Sequence, residues 1–222
     1  EYRLAHWDRY WQLRRTVFST DSVLSDIGRN MAVLLDGFAG AISNRAPVSI
    51  QNPVARHFRR WPGLGVRQWP NPPAEARMRT WQAEVDYMKD WLRRRLEWLD
   101  DQSFRVGKVT FRPPVLSHPG GSIPGPVRLV MSPFSREQAG VRYAQGALYF
   151  TRDGSDPRLP GGGIADNAVL YSEPVAIASA MTLRSRLYSR GQWSPETSAT
   201  FLLHTLPANA GRSEEHTSEL QS

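Results

Sequence analysis

The chain changes character near residue 113, and this break constrains the fold more than any other feature of the sequence. Seven of the eight tryptophans precede it, whereas eleven of the 17 glycines and eleven of the 17 prolines follow it. Pro113 and Pro114 favour extended backbone at the junction. The sequence therefore predicts two domains, a helical one over residues 1–112 and a second one over residues 113–206.

Apolar residues before the break recur every three or four positions, which is the spacing of one helix face. The faces of three predicted helices are formed by Leu4, Trp7, Trp11 and Phe18, by Leu24, Ile27, Met31, Leu34, Leu35, Phe38 and Ile42, and by Trp81, Val85, Met88, Leu92, Leu96 and Leu99. Asp21 or Ser22 is the expected N-cap of the second helix. Asn52 followed by Pro53 predicts another short helix over 53–60.

A loop rich in proline and glycine separates the predicted short helix from the last one. It reads WPGLGVRQWPNPP over residues 61–73, a composition that regular structure does not tolerate. We expect Trp61 and Trp69 to pack this loop onto the helices.

After the break, short apolar segments alternate with turns, which is typical of strands. The predicted strands are Val115–Ser117, Val127–Met131, Ala147–Arg152, Val169–Tyr171, Val175–Ile177, Met181–Ser189 and Ser198–His204. About seven short strands in about ninety residues are typical of an immunoglobulin-like β-sandwich. The predicted fold class is α+β multidomain, a helical segment followed by such a sandwich.

No residue of the chain is predicted to be catalytic or to bind a cofactor or a metal. His6-Trp7-Asp8 superficially resembles the His-Arg-Asp of a kinase catalytic loop, but Leu13 stands where that loop needs a metal-binding Asn, so we interpret the tripeptide as helix surface. Asp153 and Asp156 lie in a glycine-containing turn. Capping of local amides explains them better than calcium, which needs more oxygen ligands at regular spacing.

Two aromatic residues of the second domain, Trp193 and Tyr188, are candidate carbohydrate contacts. Aromatic rings stack on sugar faces, although a single Trp after a Gly is also typical of packing at a strand edge. Both interpretations stay open for this pair.

The charge of the chain does not indicate a nucleic-acid partner. Lys and Arg number 28 against 21 acidic residues, for a net charge of +7, and all but two of the basic residues are arginines. These arginines are spread through amphipathic helices that also carry acidic residues, rather than gathered in one patch. No apolar run is long enough to span a bilayer, so we predict no membrane span.

Longer motifs of both halves resemble known families. RYWQLRRTVFST at 9–20, HFRRWPGLG…WPNPP at 57–73 and EVDYMKDWLRRRLEWLDDQ at 84–102 resemble the C-terminal end of the spore-coat-protein-H-like (CotH) kinase family. HPGG at 118–121, LYFTRDGSDPRLPGG at 148–162, LYSEPVAI at 170–177 and TLRSR…RGQWSP…ATF at 182–201 resemble the chitobiase/β-hexosaminidase C-terminal-type domain. One departure is the stretch 38–56, which is longer and more polar than the helix expected there.

The first resemblance implies an atypical protein kinase that binds ATP and a divalent metal and phosphorylates secreted, surface or coat proteins. The ATP- and metal-binding residues of that family lie N-terminal to the matched region, so no cofactor is expected on this chain. The resemblance therefore implies a non-catalytic C-terminal part of an extracellular or cell-surface protein. Its partners would be the upstream kinase lobes of the same chain and a secreted protein substrate, and its β-sandwich would be a spacer or interaction module.

Two other interpretations stay open. The chain is alternatively a carbohydrate- or cell-wall-binding accessory module of a secreted protein, with a cell-wall polysaccharide as partner. The parent protein is alternatively a pseudokinase.

The end of the chain is polar. Residues 207–222 are expected to form a disordered tail, because they hold little apolar surface that could pack. Within it, RSEEHTSELQS at 212–222 resembles the translation of a sequencing adaptor, and we exclude it from reasoning about the fold.

Overall fold

The computed structural model of the chain combines α-helices with β-sheets, so the fold is mixed α+β. It describes residues 2–36, 38, 40, 42–45, 51–105, 112–134 and 146–203. The helices are α1 (Tyr2–Arg14), α2 (Thr20–Leu35), α3 (Pro53–Arg60) and α4 (Trp81–Arg105), with a short 3₁₀ helix at Pro73–Arg77. The strands are β1 (Val115–Leu116), β2 (Gly121–Ile123), β3 (Val127–Leu129), β4 (Met131–Ser132), β5 (Ala147–Thr151), β6 (Val169–Leu170), β7 (Val175–Ile177), β8 (Met181–Ser189), β9 (Gln192–Trp193) and β10 (Thr197–Leu203). The predicted tail over 207–222 lies outside the described residues.

The chain divides into two compact units. The described residues through Trp11 group with those from Arg112 onward, and we call this group the β unit. The described residues from Gln12 to Arg105 form the other group, which we call the helical unit. Within the part of the chain that the structure describes, no helix is both long and apolar enough to cross a membrane.

In the helical unit, side-chain caps set the helix ends. The Oγ atom of Ser19 accepts a hydrogen bond from the backbone N–H of Ser22, so α2 begins earlier than the predicted caps Asp21 and Ser22. The predicted cap Asn52 is confirmed, because its Oδ1 atom accepts from the amides of Val54 and Ala55 at 2.9 and 3.1 Å.

The same Asn52 side chain also serves the end of α2. Its Nδ2 atom donates to the carbonyls of Leu34 and Leu35 at 2.9 and 2.8 Å. One buried amide therefore satisfies free backbone groups of two helix ends, which fixes the entry of α3 beside the exit of α2.

One hydrophobic cluster of the helical unit lies where α2, α3 and α4 meet. Its buried residues are Ile42, Val54 and Ala55, with Leu35, Phe38, Phe58 and Trp81 packed against them. The expectation that the two tryptophans of the loop pack onto the helices is wrong, because Trp61 is 63% exposed and Trp69 is 89% exposed. Leu64 is the buried loop residue instead, and its backbone N–H and C=O both bond to the Asn44 side chain.

In the β unit, the largest sheet has the strand order β2-β10-β8-β5-β6, and β9 pairs with β8. The β10–β2 pair is parallel, whereas the other pairs of this sheet are antiparallel. Two smaller sheets pair β1 with β4 and β3 with β7. Alternate residues of these strands share one hydrophobic core, formed by Ile123, Leu129, Met131, Leu148, Phe150, Val175, Ile177, Leu183, Leu187, Ala199 and Phe201.

Candidate functional site

The two aromatic residues singled out in the sequence lie side by side at the end of a hairpin. Strands β8 and β9 are joined by Arg190 and Gly191, which both adopt positive φ, at 50° and 77°. A two-residue turn with positive φ at both positions matches the twist of antiparallel strands. This turn places Tyr188 opposite Trp193, with ring centroids 4.7 Å apart. Tyr149 of β5 joins them, with its ring centroid 5.9 Å from that of Trp193.

Trp193 is a packing residue of this cluster. Only 6% of it is exposed, and its Nε1–H donates to the carbonyl of Gly162 at 2.8 Å, in the loop that follows the Asp153 turn. The ring area that remains for stacking on a ligand belongs to Tyr188 and Tyr149, which are both half-buried. Carbohydrate contact at Trp193 and Tyr188 stays a prediction.

A buried guanidinium, which no sequence pattern had indicated, lies on the same strand as Tyr188. Strand alternation predicts that Arg186 faces away from the core residue Leu187, yet its side chain is only 2% exposed. Burial of a charge is unfavourable unless the charge is paired and hydrogen-bonded. The surroundings of Arg186 therefore decide whether this position is stable.

Arg186 is held by three carboxylates and one carbonyl. Its Nη1 and Nη2 atoms donate to the two carboxylate oxygens of Asp8, both at 2.8 Å. Its Nε and Nη2 atoms donate to Asp156 at 2.7 and 2.8 Å. The carbonyl of Ser194 accepts from Nη1 at 2.9 Å, and a carboxylate oxygen of Glu196 lies 3.4 Å from Nη2. We call these residues the Arg186 network. All five N–H groups of the guanidinium are directed at an acceptor.

Each carboxylate of the network is placed by a different element. Asp8 lies on α1 and also accepts from the backbone N–H of Glu196 at 2.8 Å. Asp156 is fixed by the amide of Arg158, which donates to its Oδ1 atom at 3.0 Å. The network thus joins α1 to β8 and to the segment between β9 and β10, all within the β unit.

The pKa values of Arg186 and Asp156 are both shifted in the direction that favours their charged forms. Burial disfavours the charged form of Arg186, but hydrogen bonds and charges from Asp156 and Asp8 outweigh it and raise the pKa. Burial also raises the pKa of Asp156, whereas the hydrogen bonds and charge of Arg186 lower it, and the net shift is downward. The Arg186–Asp156 pair is therefore held in its charged form, and the guanidinium, with every donor directed at an acceptor, has a structural role.

The predicted role of the aspartates in the turn is confirmed, because both cap local amides. Asp153 Oδ1 accepts from the N–H and the hydroxyl of Ser155 at 3.0 and 2.6 Å, and its Oδ2 accepts from Asn167 at 2.9 Å. The Ser155 hydrogen bonds lower the pKa of Asp153. In the described part of the chain, no group of three or more His, Asp or Glu residues is arranged to hold a metal ion.

The interpretation of Asp8 as helix surface is wrong, because this carboxylate binds the buried Arg186. In the sequence, Arg186 is marked only by its place in the strand between the apolar residues Leu183 and Leu187. Its main partners lie 178 and 30 positions away along the chain, so no local pattern connects them.

Comparison of the chain with protein-family models, with curated proteins and with solved structures gave no match.

Proposed function

We propose that the chain is a non-catalytic C-terminal part of a secreted or cell-surface CotH-like protein kinase. In this proposal the full-length parent uses ATP and a divalent metal to phosphorylate an extracellular or coat protein. The helices complete the kinase domain, and the strands form an immunoglobulin-like sandwich that acts as spacer or interaction module. The kinase assignment rests on the motifs at 9–20, 57–73 and 84–102.

The observation that carries the supporting role of the β unit is the Arg186 network. Asp8 directly precedes the first motif that resembles the kinase family, and Arg186 belongs to the second domain in the resemblance. Five hydrogen bonds of 2.7–2.9 Å, of which four are charge-assisted on both sides, join Arg186 to Asp8, Asp156 and Ser194. Within the β unit, these bonds tie α1 to the strands, which supports a structural role for this charged cluster.

A phosphotransfer assay tests the catalytic part of this proposal. The purified chain, incubated with radiolabelled ATP and Mg²⁺ or Mn²⁺, is expected to transfer no phosphate to itself or to a general protein acceptor. Phosphoryl transfer needs positioned metal ligands and a nucleotide-binding lysine, which the resemblance places upstream of this chain. Autophosphorylation of the purified chain would refute a non-catalytic role.

A carbohydrate- or cell-wall-binding module is the second candidate, and the aromatic cluster favours it. Tyr188 and Tyr149 are half-buried, and the buried Trp193 ring lies 4.7 and 5.9 Å from theirs, measured between centroids. Half-buried tyrosines with a rigid backing are suited to stacking on sugar faces.

Retention of the full chain on chitin, cellulose and peptidoglycan separates the two candidates. A spacer passes through all three columns. A carbohydrate module is retained on at least one, and Tyr188→Val then removes the retention. The matched control is Trp69→Ala, which removes an aromatic ring that is 89% exposed and lies outside the cluster. Retention that survives Tyr188→Val but not Trp69→Ala would exclude the cluster as the binding site.

A further inference from the structure

A pocket of about 510 Å³ lies in the helical unit, and most of its lining residues belong to the motif at 57–73. Its walls come from α3, from the loop after α3, from the 3₁₀ helix and from α4. The side chains that give it chemical character are His57, Phe58, Trp61, Glu75 and Glu84. The proposed kinase scaffold assigns no role to this pocket, so a ligand bound there would be independent of that proposal.

Two carboxylates, those of Glu75 and Glu84, belong to the lining of the pocket. Glu75 is held in place, because its Oε2 atom accepts from the backbone N–H of Gln68 and its Oε1 atom from the Asn71 amide, both at 2.8 Å. Glu84 is half-buried, and among the described residues its carboxylate has no hydrogen-bond or ion-pair partner. Burial and the charge of Glu75 raise the pKa of Glu84. Two like charges thus face a cavity whose described lining holds no lysine or arginine to neutralise them.

The lining of the pocket also includes aromatic side chains. Phe58 and Trp61 line it, and the ring of His57 meets that of Phe58 edge-on with centroids 5.0 Å apart. Trp61 is 63% exposed although it is the largest apolar side chain there. The guanidinium carbon of Arg60, which is not among the lining residues, lies 5.6 Å from the centroid of the Trp61 ring, within the range of a cation–π contact.

We propose that this pocket binds an organic cation, namely an ammonium group carried on an apolar stem. The ammonium faces Glu84 and Glu75, and the stem lies on Trp61 and Phe58. An anion would be repelled by the two carboxylates, and a bare metal ion would gain nothing from the aromatic wall. In a chain of net charge +7, a pocket with two carboxylates and no lysine or arginine in its described lining marks a preference for positive ligands.

Calorimetric titration of the full chain tests this assignment. The probe is n-pentylammonium, and the neutral comparison is 1-pentanol, which has the same stem. Binding of the ammonium at least tenfold tighter than the alcohol is expected. Equal binding of both, or no binding of the ammonium at millimolar concentration, would overturn the proposal.

Variants localise the site. Glu84→Gln and Trp61→Ala are each expected to weaken pentylammonium binding by about tenfold, which corresponds to about 1.4 kcal/mol. The matched controls are Glu97→Gln, on the exposed surface of α4, and Trp69→Ala, in the same loop, and neither changes the affinity. An unchanged affinity in Glu84→Gln with native circular dichroism would contradict the assignment. Equal losses in the variants and in their controls would do so as well.

The ammonium group has two natural sources, a free alkylamine and a lysine side chain of another protein. A capped Gly-Lys-Gly peptide separates them, with Gly-norleucine-Gly as its neutral counterpart. Binding of the lysine peptide at least as tight as that of pentylammonium assigns the pocket to a protein partner. Binding of pentylammonium alone assigns it to free amines.

Discussion

The Arg186 network makes a sharp prediction for Asp8→Asn, a substitution that keeps the shape of the side chain and removes its charge. Asp8 accepts two charge-assisted hydrogen bonds from Arg186 and one from the backbone N–H of Glu196. An asparagine at this position keeps one acceptor oxygen, but its NH2 group is a donor. This group would replace the second carboxylate oxygen and face the N–H groups of the guanidinium, which are also donors. At least one buried N–H of Arg186 then loses its acceptor.

The expected cost follows from the burial of the two partners. Removing one partner of a fully buried ion pair costs about 3–5 kcal/mol. Asp8 is 19% exposed, and Asp156 still neutralises Arg186 through two hydrogen bonds, so the cost is smaller. Loss of a hydrogen bond to a charged group costs about 1.5–3 kcal/mol. We expect Asp8→Asn to lower the free energy of unfolding of the β unit by about 2–3 kcal/mol.

Hydrogen exchange combined with urea unfolding measures this effect where it arises. Exchange of the β8 amides, residues 181–189, is expected to accelerate by one to two orders of magnitude, because β8 carries Arg186. Asp26→Asn is the matched control, since Asp26 pairs with Arg29 on the exposed surface of α2, where an ion pair contributes less than about 1 kcal/mol. A loss in Asp8→Asn no larger than that in Asp26→Asn would refute the reasoning.

Three further perturbations test other parts of the β unit. The pKa of Asp156 in the folded state lies below its ordinary value of 3.8, so its carboxylate stabilises the fold above pH 3.8, and this stabilisation is lost as the pH falls below that value. The free energy of unfolding in urea should therefore be lower at pH 3 than at pH 5, and Asp156→Asn should reduce this difference. Trp193→Phe removes the hydrogen bond to Gly162 and should lower the free energy of unfolding by about 1 kcal/mol, as measured by thermal unfolding. Gly120→Ala places a Cβ 2.7 Å from the Thr200 carbonyl oxygen at a φ of +95°, whereas the Cβ of Gly162→Ala meets open space at a similar φ of +98°. Gly120→Ala should therefore lower the free energy of unfolding by about 2 kcal/mol more than Gly162→Ala, and equal losses in urea unfolding would contradict this.

Elements with a regular apolar period could be predicted from the sequence. The bounds of α3, β7 and β8 agree with the prediction, and α4 begins at Trp81, the first residue of its predicted apolar face. Helix α3 is preceded by its Asn-Pro cap signal, and β8 is long enough to show alternation. Strands β2 and β9 were missed, because β2 begins with a glycine and β9 consists only of Gln192 and Trp193.

Features that depend on distant partners could not be predicted. Trp61 and Trp69 are large apolar residues of the kind expected in a core, but both are exposed. The loop is held instead by the buried Leu64 and by its hydrogen bond to Asn44. Arg186 has the position of an outward-facing residue, and the carboxylates that permit its burial come from α1, far away in the chain, and from the loop after β5. Pair interactions of this kind leave no periodic signal in one sequence.

In the proposed function, this chain supplies the scaffold of a protein kinase and its upstream sequence supplies the chemistry. The most direct test is phosphate transfer from radiolabelled ATP by the parent protein, in which this chain is joined to its natural upstream sequence. We expect metal-dependent transfer by the parent and none by the chain alone. A folded parent that neither binds ATP nor transfers phosphate, or a chain that transfers phosphate by itself, would contradict it.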